Sequence, residues 1–153
     1  HGIPFEIVPG ITAASAVAAR LGVSLTHRDC AQSVRFTTGH GRAGGLTENL
    51  DWTGIADPKT TNLFYMAGRT GKVLAGRLMQ HGLPADTPVA LVSGVSRSDE
   101  NILHLNLGRL LEEDPPAMSG PVLMCVGTVF APALRKPTEL GASTAIAVAN
   151  AQG

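Results

Sequence analysis

This chain of 153 residues has no excess of positive or negative charge. Twelve Lys and Arg residues balance twelve Asp and Glu residues, and charged residues make up only 16% of the sequence. Because nucleic-acid binding usually needs a strongly basic surface, this balance predicts no nucleic-acid partner. No uninterrupted apolar run approaches the roughly 20 residues of a membrane span, so we expect no membrane partner either.

Cysteine is scarce: Cys30 lies in RDCAQSV and Cys125 in VLMCVGTV. The two residues are far apart and lack the short spacings of zinc sites, so the sequence predicts no metal site. Their apolar neighbours favour two reduced thiols in or near a core. A disulfide or a reactive thiol is the alternative.

What is present is typical of one globular domain, with 44% hydrophobic residues, 18 Gly and 10 Pro. The first residues, HGIPFEIVPG, resemble the interior of a protein, with a turn followed by a strand over residues 5–8. We therefore expect a piece of a longer protein, with a processed terminus as the alternative. This start also lacks the basic segment and long apolar run of a secretory signal.

Strand and helix patterns alternate along the chain. Apolar spacings predict helices over residues 10–21, 51–56, 69–81 and 108–113. Apolar or alternating runs predict strands over residues 33–38, 62–66, 88–92, 102–107 and 121–126. Since the alternating strand at 102–107 is typical of antiparallel pairing, we predict an α/β fold with a mixed β-sheet flanked by helices.

The same periodicity predicts which side chains face inward. In the first helix the recurring apolar residues are Ile11, Ala14, Ala18 and Leu21, and in the third they are Val73, Leu74 and Leu78. We expect residues 1–132 to form the domain. The Ala-rich tail, residues 133–153, is weakly patterned and is expected to be partly disordered.

The stretch VPGITAAS, residues 8–15, is the first candidate site. Thr12 and Ser15 can cap the free N–H groups of the helix that begins here, and Ala13 leaves room for a flat ligand. A helix amino end offers N–H donors that suit a carboxylate or a polar ligand edge. The alternative is an ordinary, closely packed strand-to-helix turn.

Two further candidates end buried strands. Met66 precedes AGRTGKV, which departs from a phosphate loop because Met66 and Val73 replace the required Gly and Ser/Thr. Ligands of open α/β sheets bind at the carboxyl ends of strands, which favours Met66 itself. Gly94, in LVSGVSR, permits close approach of a ligand to the backbone, although a tight turn is the alternative.

LTHRD, residues 25–29, places His27, Arg28 and Asp29 together after the first helix. These side chains suit recognition of an acidic substrate or proton transfer. A structural cluster is the alternative. His40, in the glycine-rich loop with Arg42, is expected to line the same opening.

Four stretches carry a resemblance to a known family: GIPFEIVPGITAASAVAARLGVSLTHRDCAQSVRFTTGH at residues 2–40, NLFYMAG at 62–68, MQHGLPADTPVALV at 79–92 and PVLMCVGTV at 121–129. Over residues 1–132 the chain resembles the C-terminal half of the tetrapyrrole methylases. The match is to the uroporphyrinogen-III C-methyltransferases, which also occur fused at the end of sirohaem synthase.

The resemblance implies a two-domain, homodimeric, cytoplasmic α/β enzyme. Such an enzyme uses S-adenosyl-L-methionine to convert uroporphyrinogen III to precorrin-2 for sirohaem and cobalamin synthesis, and releases S-adenosyl-L-homocysteine. The family pattern implies cofactor contacts at Thr12, Ala13, Met66 and Gly94, and at Gly127, which we expect at the same sheet edge. At Gly94 the chain reads Ser-Gly-Val-Ser where the family usually has a longer Glu-Asn-Gly-Thr turn.

The family's glycine-rich first loop and Gly-Gly-Asp stretch do not occur in this sequence. Since the acid–base residues are expected in that N-terminal half, the catalytic residues are unassigned. The resemblance implies substrate binding through its many carboxylates, at His27, Arg28 or His40, with Arg35 and Arg42 as further candidates. A different precorrin methyltransferase and a non-catalytic, dimerising fragment are the alternatives.

Overall fold

The computed structural model describes residues 2–41, 44–47 and 49–134. Its strands are β1 (Ser33–Thr38), β2 (Thr60–Tyr65), β3 (Pro88–Ser93), β4 (Asn101–Asn106) and β5 (Val122–Val126). Its helices are α1 (Ala13–Leu21), α2 (Trp52–Ile55), α3 (Gly71–Gln80) and α4 (Leu107–Glu112), followed by a 3-10 helix, Thr128–Leu134. The predictions for Arg42 and for most of the tail lie outside the described residues.

The five strands form one mixed sheet in the order β1-β2-β5-β3-β4. β1 and β2 are parallel, whereas β5 runs antiparallel to both of its neighbours, β2 and β3. β3 therefore points the same way as β1 and β2, and β4 is antiparallel to β3. The predicted mixed sheet, including the antiparallel strand near residues 102–107, is confirmed.

This topology places the carboxyl-terminal ends of β1, β2 and β3 side by side. The border of the sheet where these three strands end is called the carboxyl edge below. The residues that follow these strands there are Gly39 and His40, Met66 to Gly68, and Gly94 to Ser96. β5 begins at this edge and ends at the opposite one, since it is antiparallel to β2 and β3. The expectation that Gly127 lies at the same edge as Met66 is therefore wrong.

A hydrophobic core lies on each face of the sheet, because successive strand side chains point to opposite faces. On one face Phe64 and Met124 pack with Leu74 of α3. On the other, Leu63 and Cys125 pack with α1 and the 3-10 helix. The central strands β2 and β5 are thus buried on both sides, which explains their nearly continuous apolar sequences.

Two inward-facing assignments are wrong in part. Helix α1 begins at Ala13 rather than Gly10, so Ile11 precedes the helix and is 86% exposed. The buried residues of α1 are Ala14 and Val17. In α3, Val73 is 55% exposed, while Leu74 and Leu78 are buried as predicted.

The predicted strand at residues 5–8 is also wrong. The structure has no strand there, and Phe5, Ile7 and Val8 are each more than three-quarters exposed. A strand needs a neighbour to accept and donate its backbone hydrogen bonds, and none of the described strands pairs with this segment.

Both cysteines are free, with Cys30 half-buried and Cys125 buried, so the prediction of reduced thiols is confirmed. Burial raises the pKa of the Cys125 thiol to about 12. Within the described ranges, no three His, Cys, Asp or Glu side chains gather as a metal site. No helix in those ranges is both long and apolar enough to cross a membrane.

Candidate functional site

The amino end of α1 lies against the end of β2. Thr12 is the N-cap of the helix, and its Oγ1 accepts a hydrogen bond from the Ser15 N–H at 3.3 Å. The Ala14 N–H donates to the Tyr65 hydroxyl at 3.2 Å. These contacts join the start of α1 to Tyr65, the last residue of β2, at the carboxyl edge.

One donor at this helix end remains open. The N–H groups of Ala14, Ser15 and Ala16 have acceptors in Tyr65 and Thr12. For the Ala13 N–H, the described part of the chain provides no acceptor. The predicted N–H donor for a polar ligand edge is therefore present at this residue.

Met66 follows β2 in an unusual backbone conformation. Its φ is +61°, in the left-handed region that residues with a side chain rarely adopt. Its side chain is 53% exposed, although the neighbouring Ala67 is fully buried and donates its N–H to the Val122 carbonyl. Such conformations are found often at ligand sites, where the surrounding structure holds them in place.

Met66 shares a groove with His40. The groove has a volume of about 310 Å³, and the other side chains that line it are Arg69, Pro121 and Val122. It lies where β1 and β2 end and β5 begins. The structure therefore brings together two residues, Met66 and His40, that were assigned separately to cofactor and substrate.

The position of His40 depends on its neighbour Gly39. The Gly39 N–H donates to the Tyr65 carbonyl at 2.6 Å, and the Gly39 carbonyl accepts from the Thr70 hydroxyl at 2.5 Å. A Cβ on Gly39 would lie 3.0 Å from both the Tyr65 carbonyl oxygen and the Ala67 Cβ. The loop after β1 is thus fixed against the start of α3.

Gly94 lies in a tight turn of its own. Its φ is +59°, and its carbonyl accepts from the Arg97 N–H at 2.9 Å. A Cβ at Gly94 would lie 3.0 Å from the Asp99 carbonyl oxygen, so the space beside this glycine is filled by its own loop. The turn alone accounts for the glycine.

The next residues of that loop do reach the amino end of α1. Val95 and Ser96 line a shallow groove of about 880 Å³ together with Thr12 and Ala13. Glu100 holds the loop, since it accepts from Arg20 and from the Ser96 N–H, and these bonds lower the pKa of its carboxyl.

His27 and Arg28 lie elsewhere. They belong to a turn in which His27 and Ala31 exchange backbone hydrogen bonds, and the next residue, Gln32, bonds to the Lys59 carbonyl before β2. This turn precedes β1, whereas His40 follows it. The six residues of β1 span about 20 Å. In the single chain, the expectation of one shared opening is therefore wrong.

The remaining candidates are also separated from the groove or already paired. Arg35 donates to Asp51 at 2.9 Å; the Gly54 N–H and then Arg35 lower the pKa of the Asp51 carboxyl. Gly127 lies at the opposite edge, where a Cβ would lie 3.4 Å from the Thr60 carbonyl oxygen.

Sequence reasoning missed Tyr65, Arg69 and Thr70. Tyr65 was part of the predicted strand, but the continuous apolar run of that strand gave no sign that its hydroxyl would reach α1. Arg69 and Thr70 lie in the segment that was dismissed as an incomplete phosphate loop. The signal that was available is their position directly after Met66, at the carboxyl end of a buried strand.

The sequence pattern of the tetrapyrrole (corrin/porphyrin) methylases matches residues 1–111. The chain belongs to this family.

Similar proteins of known name support this family membership. A siroheme synthase of Stutzerimonas stutzeri is 45% identical over 133 residues, which cover 84% of this chain and 28% of that protein. A siroheme synthase of Gluconacetobacter diazotrophicus is 46% identical over 129 residues, 84% of this chain and 27% of that protein. The chain thus spans less than a third of these tetrapyrrole-methylase relatives.

Among solved structures, a uroporphyrin-III C-methyl transferase from Thermus thermophilus, complexed with S-adenyl homocysteine, aligns with a TM-score of 0.68 at 28% identity. The alignment covers 89% of this chain and 56% of that one. A cobalt precorrin-4 methyltransferase aligns with a TM-score of 0.68 at 27% identity, covering 80% of this chain and 51% of that one. The chain therefore spans about half of each solved methyltransferase.

Proposed function

We propose that the chain is part of an S-adenosyl-L-methionine-dependent C-methyltransferase that converts uroporphyrinogen III to precorrin-2, a step toward sirohaem and cobalamin. The observation that carries the proposal is the meeting of two candidate segments at one sheet edge. Thr12 and Ala13 begin α1 there, and the Ala14–Tyr65 hydrogen bond joins them to the strand that ends at Met66.

The cofactor site we propose consists of Thr12, Ala13, Met66 and the turn at Gly94. Its features suit a nucleoside cofactor, because the Ala13 N–H has no acceptor among the described residues and the neighbouring side chains are small. Gly94 contributes through its turn, which places Val95 and Ser96 in the groove beside Thr12 and Ala13. Gly127 is left out, because it lies at the opposite edge of the sheet.

The cofactor supplies an electrophilic methyl group, and the protein's task is mainly to hold it in line with the attacking pyrrole carbon. The residues assigned above bind the cofactor and the substrate and orient them toward each other. The half-exposed Met66 is the proposed point at which the cofactor site meets the groove that would hold the substrate. His40 is the proposed substrate contact at this edge. Acid–base residues are not assigned to the chain.

Residues 1–132 are proposed to be the C-terminal domain of a longer methyltransferase, with residues 133–153 as a tail. The support is that the chain spans 56% of the solved uroporphyrin-III C-methyl transferase. His27 and Arg28 lie away from the groove, so the structure gives no support to a substrate role for them. The proposed homodimer rests on the family resemblance.

The comparison with a cobalt precorrin-4 methyltransferase favours a second candidate, a methyltransferase that acts on a later precorrin. The two candidates share the cofactor site and differ in the tetrapyrrole that is bound. Binding of uroporphyrin III, a stable oxidised form of the proposed substrate, supports the first candidate. Preference for a precorrin that is already methylated supports the second.

Calorimetric titration of S-adenosyl-L-homocysteine into the chain tests the cofactor site. We expect binding, weakened by Ala13→Val, because the added methyl groups occupy the groove. Ala18→Val is the matched control, since Ala18 is also half-buried on α1 but does not line the groove. If both variants bind alike, the proposed cofactor site is wrong. If the chain does not bind at all, it is better described as the structural or dimerising fragment given above as the alternative.

A further inference from the structure

The basic side chains of the described residues fall into two groups. In the first group each has a carboxylate partner: Arg20, Arg35, Lys72, Arg97 and Arg109. In the second group the described residues offer no such partner: Arg28, Lys59, Arg69 and Arg77. A ligand carboxylate competes with no internal partner for the residues of the second group.

Within this second group, Arg69 has a distinctive position. Its side chain lines the groove shared by His40 and Met66. Arg28 lies in the turn before β1, near the opposite edge, and Arg77 is exposed further along α3. Among the described residues, Arg69 is therefore the guanidinium without a carboxylate partner that lines a groove at the carboxyl edge.

The backbone around Arg69 is held firmly. Thr70 is buried, its hydroxyl bonds to the Gly39 carbonyl, and its N–H donates to the Ala67 carbonyl at 3.1 Å. The Thr70 carbonyl accepts from Leu74 at 2.8 Å in the first turn of α3. The Cα of Arg69 is thus fixed, and this fixed backbone lowers the entropy cost of binding a ligand. The side chain itself remains exposed and accessible.

Arg69 also borders a second groove, of about 580 Å³, on the side of α4. There Lys72 pairs with Asp114 at 2.5 Å, so the charge of Lys72 is already balanced. Gly68, which precedes Arg69, has no side chain, and a Cβ there would lie 3.1 Å from Val122 Cγ2, so the Val122 side chain would have to shift to admit one. Bare backbone therefore lies beside the guanidinium where the two grooves meet.

We propose that Arg69 binds a carboxylate of the tetrapyrrole substrate, next to His40 and Met66. This inference rests on the proposed function, which supplies a substrate rich in carboxylates. The guanidinium matches a carboxylate with two parallel hydrogen bonds. Arg69 is a substrate-binding residue, and it fixes how the macrocycle is oriented at the edge.

The test is a fluorescence titration of uroporphyrin III with the chain and two variants. Arg69→Gln removes the proposed contact, and Arg77→Gln removes an exposed arginine from the same helix, outside the groove. We expect Arg69→Gln to raise the Kd about tenfold, the effect of losing a hydrogen bond to a charged group. Arg77→Gln should leave the Kd nearly unchanged, and the difference should shrink in high salt.

Arg69→Lys provides a second variant that keeps the positive charge but loses the two parallel N–H donors of the guanidinium. An intermediate Kd is expected. Equal Kd values for Arg69→Gln and Arg77→Gln overturn the inference, as does a failure of the unsubstituted chain to bind uroporphyrin III. Titration of S-adenosyl-L-homocysteine into Arg69→Gln separates the two proposals. Unchanged cofactor binding beside unchanged porphyrin binding refutes the role of Arg69 and leaves the cofactor site standing.

Discussion

Replacing Thr70 by Val tests the contact that joins the loop after β1 to the start of α3. Val has nearly the same shape as Thr but has no hydroxyl, so the change leaves the Gly39 carbonyl without its donor. Thr70 is 3% exposed and Gly39 is buried, so water does not replace the lost donor freely. We expect the free energy of unfolding to fall by about 1–3 kcal/mol, the cost of leaving a buried acceptor unpaired.

Urea denaturation followed by circular dichroism measures this change. Thr70→Ser is the matched control, because it keeps the hydroxyl and removes one methyl group, worth about 0.8 kcal/mol when buried. Thr70→Val should be the less stable of the two, with an unchanged dependence on urea concentration. If Thr70→Val is as stable as the unsubstituted chain, the hydrogen bond does not hold this edge together.

Other consequences of burial can be measured in the same chain. At pH 8 a thiol reagent should label Cys30 and spare Cys125, whose pKa burial raises to about 12; two fast-reacting thiols would contradict this. Leu74→Ala should cost about 2–5 kcal/mol of unfolding free energy, well above Leu111→Ala at a 42% exposed position; equal losses would place Leu74 outside the core. Burial lowers the pKa of His104 below 6.5, so its contribution to stability is lost as pH falls below 6.5. His104→Gln should then flatten the decline in melting temperature between pH 7 and 5, and parallel declines would refute this.

Much of the sheet was predictable because its strands have strong local patterns. β1 matches its predicted residues, and β3 and β5 differ from theirs by one residue at an end. The antiparallel direction of β4 also followed from its alternating pattern. The position of β5 did not, because strand order depends on contacts between distant segments and periodicity reports only on neighbouring residues. The error about Gly127 came from that missing information.

The predicted strand at residues 5–8 shows that a strong local pattern alone does not make a strand. Its apolar sequence is typical of a strand, yet pairing needs a partner, and the described strands supply none to this segment. Sequence reasoning singled out Thr12, Ala13 and Met66 as candidates through helix-start and strand-end signals. It had no means to find the Ala14–Tyr65 contact or the Thr70–Gly39 contact, because each joins residues far apart in the chain.

The central place of β5 has a consequence for the order in which the chain can assemble. β1 and β2 pair with each other, and so do β3 and β4, but among the described strands only β5 joins the two pairs into one sheet. β5 follows the other four described strands in sequence, so these leave the ribosome first, and the nascent chain holds two half-sheets with open inner edges until β5 emerges. Because its partners lie far back in sequence, insertion of β5 should be a late and slow step, and a ribosome that pauses before Val122 would prolong exposure of edges prone to aggregation.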